Sequence, residues 1–147
     1  MTTLTAYFLL CSSAFLSATL LPGSSEAVLL TLLSQEKWPV LGLICVATLG
    51  NVAGALVNWG LGTYFIKFKD RRWFPLGNAL NPRAQAWVAR YGIWALLFSW
   101  VPLIGDSLTL VAGMMRVPVG VFLLFVTIGK LFRYLLVVGA WQQYNLL

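Results

Sequence analysis

Apolar positions gather along this chain into four long stretches, two of them whole and two interrupted by a proline-bearing break. Leu4 to Leu33 is apolar except for Pro22-Gly23-Ser24-Ser25-Glu26, and Trp87 to Met115 except for Pro102-Leu103-Ile104-Gly105-Asp106. Pro39 to Tyr64 and Pro118 to Trp141 run through, the second of them in spite of Lys130 and Arg133. About 20 helical residues cross the hydrocarbon core of a bilayer, so each whole stretch predicts one transmembrane helix. Each broken stretch predicts two shorter helices that meet at the break. A re-entrant hairpin and a kinked full span both satisfy that pattern.

Residues 66–83 separate the second stretch from the third. Lys67, Lys69, Arg71, Arg72 and Arg83 stand there against Asp70, a net charge of +4, whereas Glu36 cancels Lys37 and the third gap holds only Arg116. The positive-inside rule places this linker in the cytoplasm. Trp73, Phe74 and Trp87 suit the headgroup level, and Asn81-Pro82 reads as the N-cap and first residue of a helix re-entering the membrane. A solvated basic loop and a site for anionic headgroups are both compatible with the run.

The two halves of the chain superpose. Pro22-x-x-x-Glu26 falls on Pro102-x-x-x-Asp106 at a shift of 80 positions, and Pro39 falls on Pro118, Asn51 on Lys130 and Gly60 on Gly139 at a shift of 79. A single domain, 1–147, is therefore expected, with one repeat over about 4–64 and the other over about 84–144. Corresponding interrupted segments in two halves are the best sequence pointer to a binding site in a transporter. A break frees backbone N–H and C=O groups at membrane depth, which is tolerable only against protein or a wet cavity. Ser24 and Ser25 are placed to cap the half-helix after Gly23, and Gly105 leaves room at the second break after Pro102.

Composition narrows the class. Of 147 residues, 60% are hydrophobic and 10% charged, against about 25% charged in a soluble domain; such a chain must turn apolar surface to lipid. With no histidine, imidazole metal sites and histidine acid–base catalysis are excluded, and no metal site or cofactor is expected. Cys11 and Cys45 lack paired spacing and read as buried thiols. No phosphate-cradling glycine loop is present. The net charge of +6 is assigned to cytoplasmic loops and headgroups rather than to nucleic acid. No basic residue precedes Lys37, so the first segment reads as retained rather than as a signal peptide.

Glu26, Asp106, Lys130 and Arg133 fall inside apolar stretches. Each would cost about 2.5–3.5 kcal/mol against lipid at mid-helix. Two acids and two bases should therefore meet in the protein interior around one central cavity. Lys130 and Arg133, three apart, share a helix face. Their counterparts Asn51 and Gly54 lie in a small-residue stripe with Gly50 and Asn58, and Gly50-x-x-x-Gly54 permits close helix approach. Three uses of the charges remain open: a structural ion-pair network, a proton relay through Glu26 and Asp106, or an anion site on Lys130 and Arg133. A two-carboxylate hydrolase is disfavoured because nothing flanking the acids positions a water or an oxyanion.

Leu20-Leu21-Pro22-Gly23-Ser24-Ser25-Glu26, Gly50-Asn51-x-x-Gly54 with Gly60-x-Gly62, and Trp100-Val101-Pro102 through Val111-Ala112-Gly113 together resemble the DedA family, also described by its VTT domain, and its short YqaA-type branch most. The likeness spans Leu16 to Tyr134. It implies two re-entrant loops facing each other across the membrane, lipid translocation, and in several members a link to proton-motive force. The main bacterial pattern has arginines before and after the second-loop proline, where Ser99 and Gly105 stand here, and an acid where Ala55 stands. Lys130, Arg133 and Arg116 are then the cations left to hold a headgroup. The expected protein is an all-α polytopic membrane protein of two pseudo-symmetric units in the cell inner membrane. It is not an enzyme; it moves a lipid, phosphate-bearing in one version, between leaflets. The alternative is a non-transporting organiser that presents the glycine stripe to other membrane proteins. Membrane lipids are the expected partners, and a homo-oligomer is compatible with the pattern.

Overall fold

The computed structural model describes residues 2–19, 23–68 and 82–147, and every regular element within them is helical. The first broken stretch forms α1 (Thr3–Thr19) and α2 (Ser24–Leu33), and the first whole stretch forms α3 (Val40–Phe65) with a short 3₁₀ turn, Ile66–Phe68. The second broken stretch forms α4 (Pro82–Tyr91), a 3₁₀ segment (Gly92–Trp100) and α5 (Ile104–Met114), and α6 (Val119–Asn145) completes the chain. Pro22, the basic run 69–72, Trp73, Phe74 and Asn81 lie outside the described residues; α4 does begin at Pro82.

Among the described residues two helices are long and apolar enough to cross a membrane, α3 with 26 residues and α6 with 27. At a rise of 1.5 Å per residue each is about 40 Å long, against a hydrocarbon core of about 30 Å. Both start from an extended proline whose carbonyl accepts the first helical bond, from Leu43 N–H to Pro39 at 3.2 Å and from Phe122 N–H to Pro118 at 2.9 Å.

The short helices are bounded by left-handed backbone. α2 follows Gly23 at φ 91°, which glycine adopts without steric cost. α5 follows Leu103 at φ 67°, ψ −51°, the centre of a γ-turn closed from Ile104 N–H to Pro102 O at 2.8 Å; this is the rarer, strained sense of that turn. Both helices end in turns containing a second such residue, Glu36 at φ 51° and Arg116 at φ 55°. Their amides reach back to Leu33 and Gly113 at 3.1 and 3.0 Å, satisfying carbonyls that the helix end leaves free. Contrary to the expected serine caps, Gly23 occupies the N-cap of α2 without a side-chain bond. Ser25 is instead fully buried.

Glycines bring α3 against two neighbours. A Cβ on Gly54 would sit 2.7 Å from both Ala18 Cβ and Phe15 O, and one on Gly50 would strike the Cys11 carbonyl. Farther along, a Cβ on Gly62 would strike the Leu110 carbonyl, and one on Gly113 of α5 the Trp59 carbonyl. Asn58 donates to Ala18 O at 2.9 Å and Thr109 Oγ1 at 3.3 Å, tying the same two helices to α3. The stripe expected to receive another protein is therefore filled by α1 and α5 of its own chain.

Three apolar clusters follow. One joins Leu10, Leu29, Leu32, Leu43 and Tyr134 of α1, α2, α3 and α6; a second joins Ala55, Leu96, Ala112 and Phe122; the third seats α4 through Ala84 and Val88 on Leu108. The 3₁₀ segment exceeds the usual three or four residues. Packing holds it: Trp94 meets Phe125 and Trp100 meets Phe132 edge-on, at 5.3 and 5.7 Å. Large apolar side chains such as Phe8, Leu49, Leu124 and Leu135 point outward, the surface a bilayer would cover. The cysteines depart from expectation, since Cys11 is half-buried and Cys45 exposed on that outer surface.

Candidate functional site

Helix α6 supplies both cations and the two short helices supply both acids. Lys130 Nζ donates to Asp106 Oδ1 at 2.8 Å, and Arg133 Nη2 pairs with Glu26 Oε1. Each acid stands in the first turn of its helix, where partial positive charge favours a carboxylate. Each short helix thus carries an acid at its start. Burial is uneven, because the Lys130 side chain is 1% exposed and Arg133 10%, whereas Glu26 is 17% and Asp106 21% exposed.

A chain of buried hydrogen bonds reaches Glu26 from the opposite side. Asn51 Nδ2 donates to Tyr134 OH at 3.0 Å, and Tyr134 OH donates to Ser25 Oγ at 3.1 Å. Ser25 Oγ has two acceptors, Glu26 Oε2 at 3.2 Å and Ser17 Oγ at 3.3 Å. Four helices meet in this chain. Sequence reasoning missed Tyr134 and Ser17; the available sign was spacing, since Tyr134 lies one turn beyond Lys130 on the face that carries both cations.

Among the described residues the two acids line different cavities. Asp106 lines a polar depression of about 250 Å³ together with Ser17, Thr19, Asn58, Leu103 and Ser107. Glu26 and Arg133 line an apolar crevice of about 370 Å³ walled by Trp100, Pro102, Leu136 and Val137. Two carboxylates on two separate short helices can each sit against α6 while their open sides point different ways. Gly105 does not open space: its Cα lies so close to Ser99 that a Cβ would strike that residue's backbone. Ser99 is itself buried, with its hydroxyl oxygen lacking a hydrogen-bond partner among the described residues. Arg116 is exposed in the turn before α6 and joins neither ion pair.

This arrangement holds two acids and two bases as two pairs against α6. An anion entering the apolar crevice would compete with Glu26 for Arg133, and a proton reaching Glu26 would release Arg133 from its partner.

Comparison with known proteins agrees with the motifs. The VTT domain family model matches residues 21–143. Inner membrane protein YqaA of Escherichia coli is 43% identical over 136 residues, covering 92% of this chain and 91% of the relative. The Shigella flexneri protein of the same name matches equally, at 43% over 136 residues. A Haemophilus influenzae protein is 39% identical over 129 residues, 83% of this chain and 78% of its own. No solved structure matches.

Proposed function

The chain belongs to the VTT domain family, the DedA family of its sequence motifs, as an inner membrane protein, and from that premise we propose that it moves an amphiphilic lipid between leaflets. The observation that carries this reading is the Glu26–Arg133 pair at the floor of an apolar crevice. A pair that served packing alone would be sealed, because a partly open crevice invites competitors for both charges. Here Trp100, Leu136 and Val137 offer apolar walls to an acyl chain while Arg133 offers planar donors suited to a phosphate. Glu26 is the internal anion that holds the site closed, and protonation of its carboxylate frees Arg133 for the headgroup. In the second pair the cation is the enclosed partner, since Lys130 is sealed and Asp106 faces the polar depression. The basic segment 66–83 and α4, with Arg83 and Arg90 on its exposed side, would lie against anionic headgroups.

The same reading takes each broken stretch as a re-entrant unit, the second inverted relative to the first. Left-handed residues recur 80 positions apart, at 23 and 103 and at 36 and 116. Ser24 of α2 reaches the Ser13 carbonyl at 3.5 Å, well back along α1, and the far ends of both helices share one cluster through Ala6, Leu10, Leu32 and Leu33. Contacts away from the break, rather than at the break alone, support a hairpin over a kinked span. At 17 and 10 residues they are about 25 and 15 Å long, each short of the hydrocarbon thickness.

Purified protein in liposomes with headgroup-labelled lipids tests the function. Protein-dependent movement between leaflets is expected, with Glu26→Gln abolishing it per folded molecule. A panel of lipid classes identifies the substrate, and a rate that does not rise with protein content would refute transport. A C-terminal reporter tests the topology: with the linker cytoplasmic, two re-entrant units put the C-terminus outside, and a cytoplasmic C-terminus removes the inverted arrangement.

A further inference from the structure

We propose that Ser17 and Ser25 form a proton thread between the two depressions, with Glu26 at its end and Tyr134 and Asn51 bracing its middle. Ser17 lines the polar depression that Asp106 shares, and Glu26 lines the apolar crevice. Among the described residues Ser25 bridges them, 3.3 Å from Ser17 Oγ and 3.2 Å from Glu26 Oε2. The three oxygens therefore make a continuous hydrogen-bonded path from a polar opening to a carboxylate in an apolar one.

Ser25 has one hydrogen and two acceptors at nearly equal distance, so its hydroxyl can turn either way. Tyr134 donates to the Ser25 oxygen from a third direction and is itself held by Asn51. That arm ends at an amide and carries no proton onward; it fixes the oxygen and leaves the Ser25 hydrogen free to choose. Ser17, Ser25, Tyr134 and Asn51 are each at most 3% exposed, which shields the path from lipid. The charged groups around it are Arg133 on Glu26 and the Lys130–Asp106 pair, and α1 and α3 contribute no charged residue.

The transfer balances. In the resting bond Ser25 donates to Ser17; with the Ser17 hydroxyl turned toward Ser25 and the Ser25 hydroxyl toward Glu26, a proton from water in the polar depression adds to Ser17 Oγ as the Ser17 hydrogen passes to Ser25 Oγ, and the Ser25 hydrogen passes to Glu26 Oε2. Each hydroxyl ends with one hydrogen, the carboxylate becomes neutral, and rotation of the two hydroxyls resets the path. Asp106 at the rim is the acid that would gather the proton from water. The thread rests on the reading of Glu26 as the latch on Arg133, since it explains how a proton reaches a carboxylate whose own crevice is apolar.

The test uses the full chain in liposomes loaded with a pH-sensitive dye, with a potassium-diffusion potential driving proton entry and labelled lipid followed in the same vesicles. Wild type should admit protons in proportion to protein. Ser25→Ala and Ser17→Ala should each reduce entry about 100-fold or more per folded molecule, with Ser17→Thr restoring it and Tyr134→Phe giving a partial loss. Exposed Thr31→Ala should match wild type. A purely structural role would lower the folded yield on size exclusion and leave the flux per folded molecule unchanged. Ser17→Ala keeps the test decisive if Ser25→Ala fails to fold. Equal flux in wild type and Ser17→Ala overturns the thread, as does a wild type that admits no protons. Lipid that stays in place while protons pass through Ser25 refutes the transport reading and leaves the thread standing.

Discussion

Replacing Asp106 with asparagine removes one charge beside Lys130 and almost nothing else. The amide can still accept from Nζ, so the loss is electrostatic. At the observed 2.8 Å and an effective dielectric of about 20, the attraction forfeited is about 6 kcal/mol before solvation is counted. Lys130 is 1% exposed, and it can escape by giving up its proton. For an ammonium of ordinary pKa about 10.4 at pH 7 that escape costs about 4.6 kcal/mol, which caps the damage. Asp106→Asn should therefore destabilise the fold by about 3–5 kcal/mol. Lys130→Met differs, because the acid left behind is 21% exposed on a polar depression and can be hydrated, for a loss of about 1–3 kcal/mol. The double variant strands no charge and should resemble Lys130→Met alone. Reversible unfolding in mixed micelles, followed through the seven tryptophans, measures all three against wild type. Single-variant losses that simply add in the double variant, within about 0.5 kcal/mol, would refute the pairing.

Other positions give independent checks. Gly113→Ala drives a methyl into the Trp59 carbonyl and should cost about 1–3 kcal/mol of stability as an overpacked contact, whereas Gly60→Ala, where a Cβ would meet nothing within 4 Å, should gain about 0.5–1 kcal/mol from helix propensity. Equal effects at the two sites in the same unfolding assay would show that α3 and α5 do not meet there. Leu103→Gly should stabilise by about 1 kcal/mol or more, because it relieves a positive φ while removing a side chain that is 62% exposed; a lower unfolding midpoint would contradict the γ-turn. Arg133→Lys, which keeps the charge and loses the planar fork, should retain fold and weaken transport of phosphate-bearing lipids more than of others; uniform rates across a lipid panel would argue against Arg133 as the headgroup contact.

The sequence alone determined the solvent, the segments and the sites of interruption. Hydropathy is a sum over neighbouring residues, so four apolar stretches and their lengths could be read without knowing any contact, and α3 and α6 emerge where the whole stretches lie. Breaks at 22–26 and 102–106 were legible because proline and glycine act on their own backbone, and the need of Glu26, Asp106, Lys130 and Arg133 for partners followed from the cost of charge in lipid. Which acid meets which base was not legible. That depends on how α2 and α5 rotate and slide against α6, and those freedoms are decided by packing: Gly50 and Gly54 seat α1, and Gly62 with Gly113 seats α5. The same packing turned the glycine stripe inward, against its reading as a partner surface, and separated the expected single cavity into two. It also drew Ser17, Ser25, Asn51 and Tyr134 together from four helices, a cluster whose one local sign was the spacing of Tyr134 from Lys130, because nothing in a single segment tells which small polar residues will meet. Local chemistry placed the charges in the membrane; only through-space contact between helices decided what each of them faces.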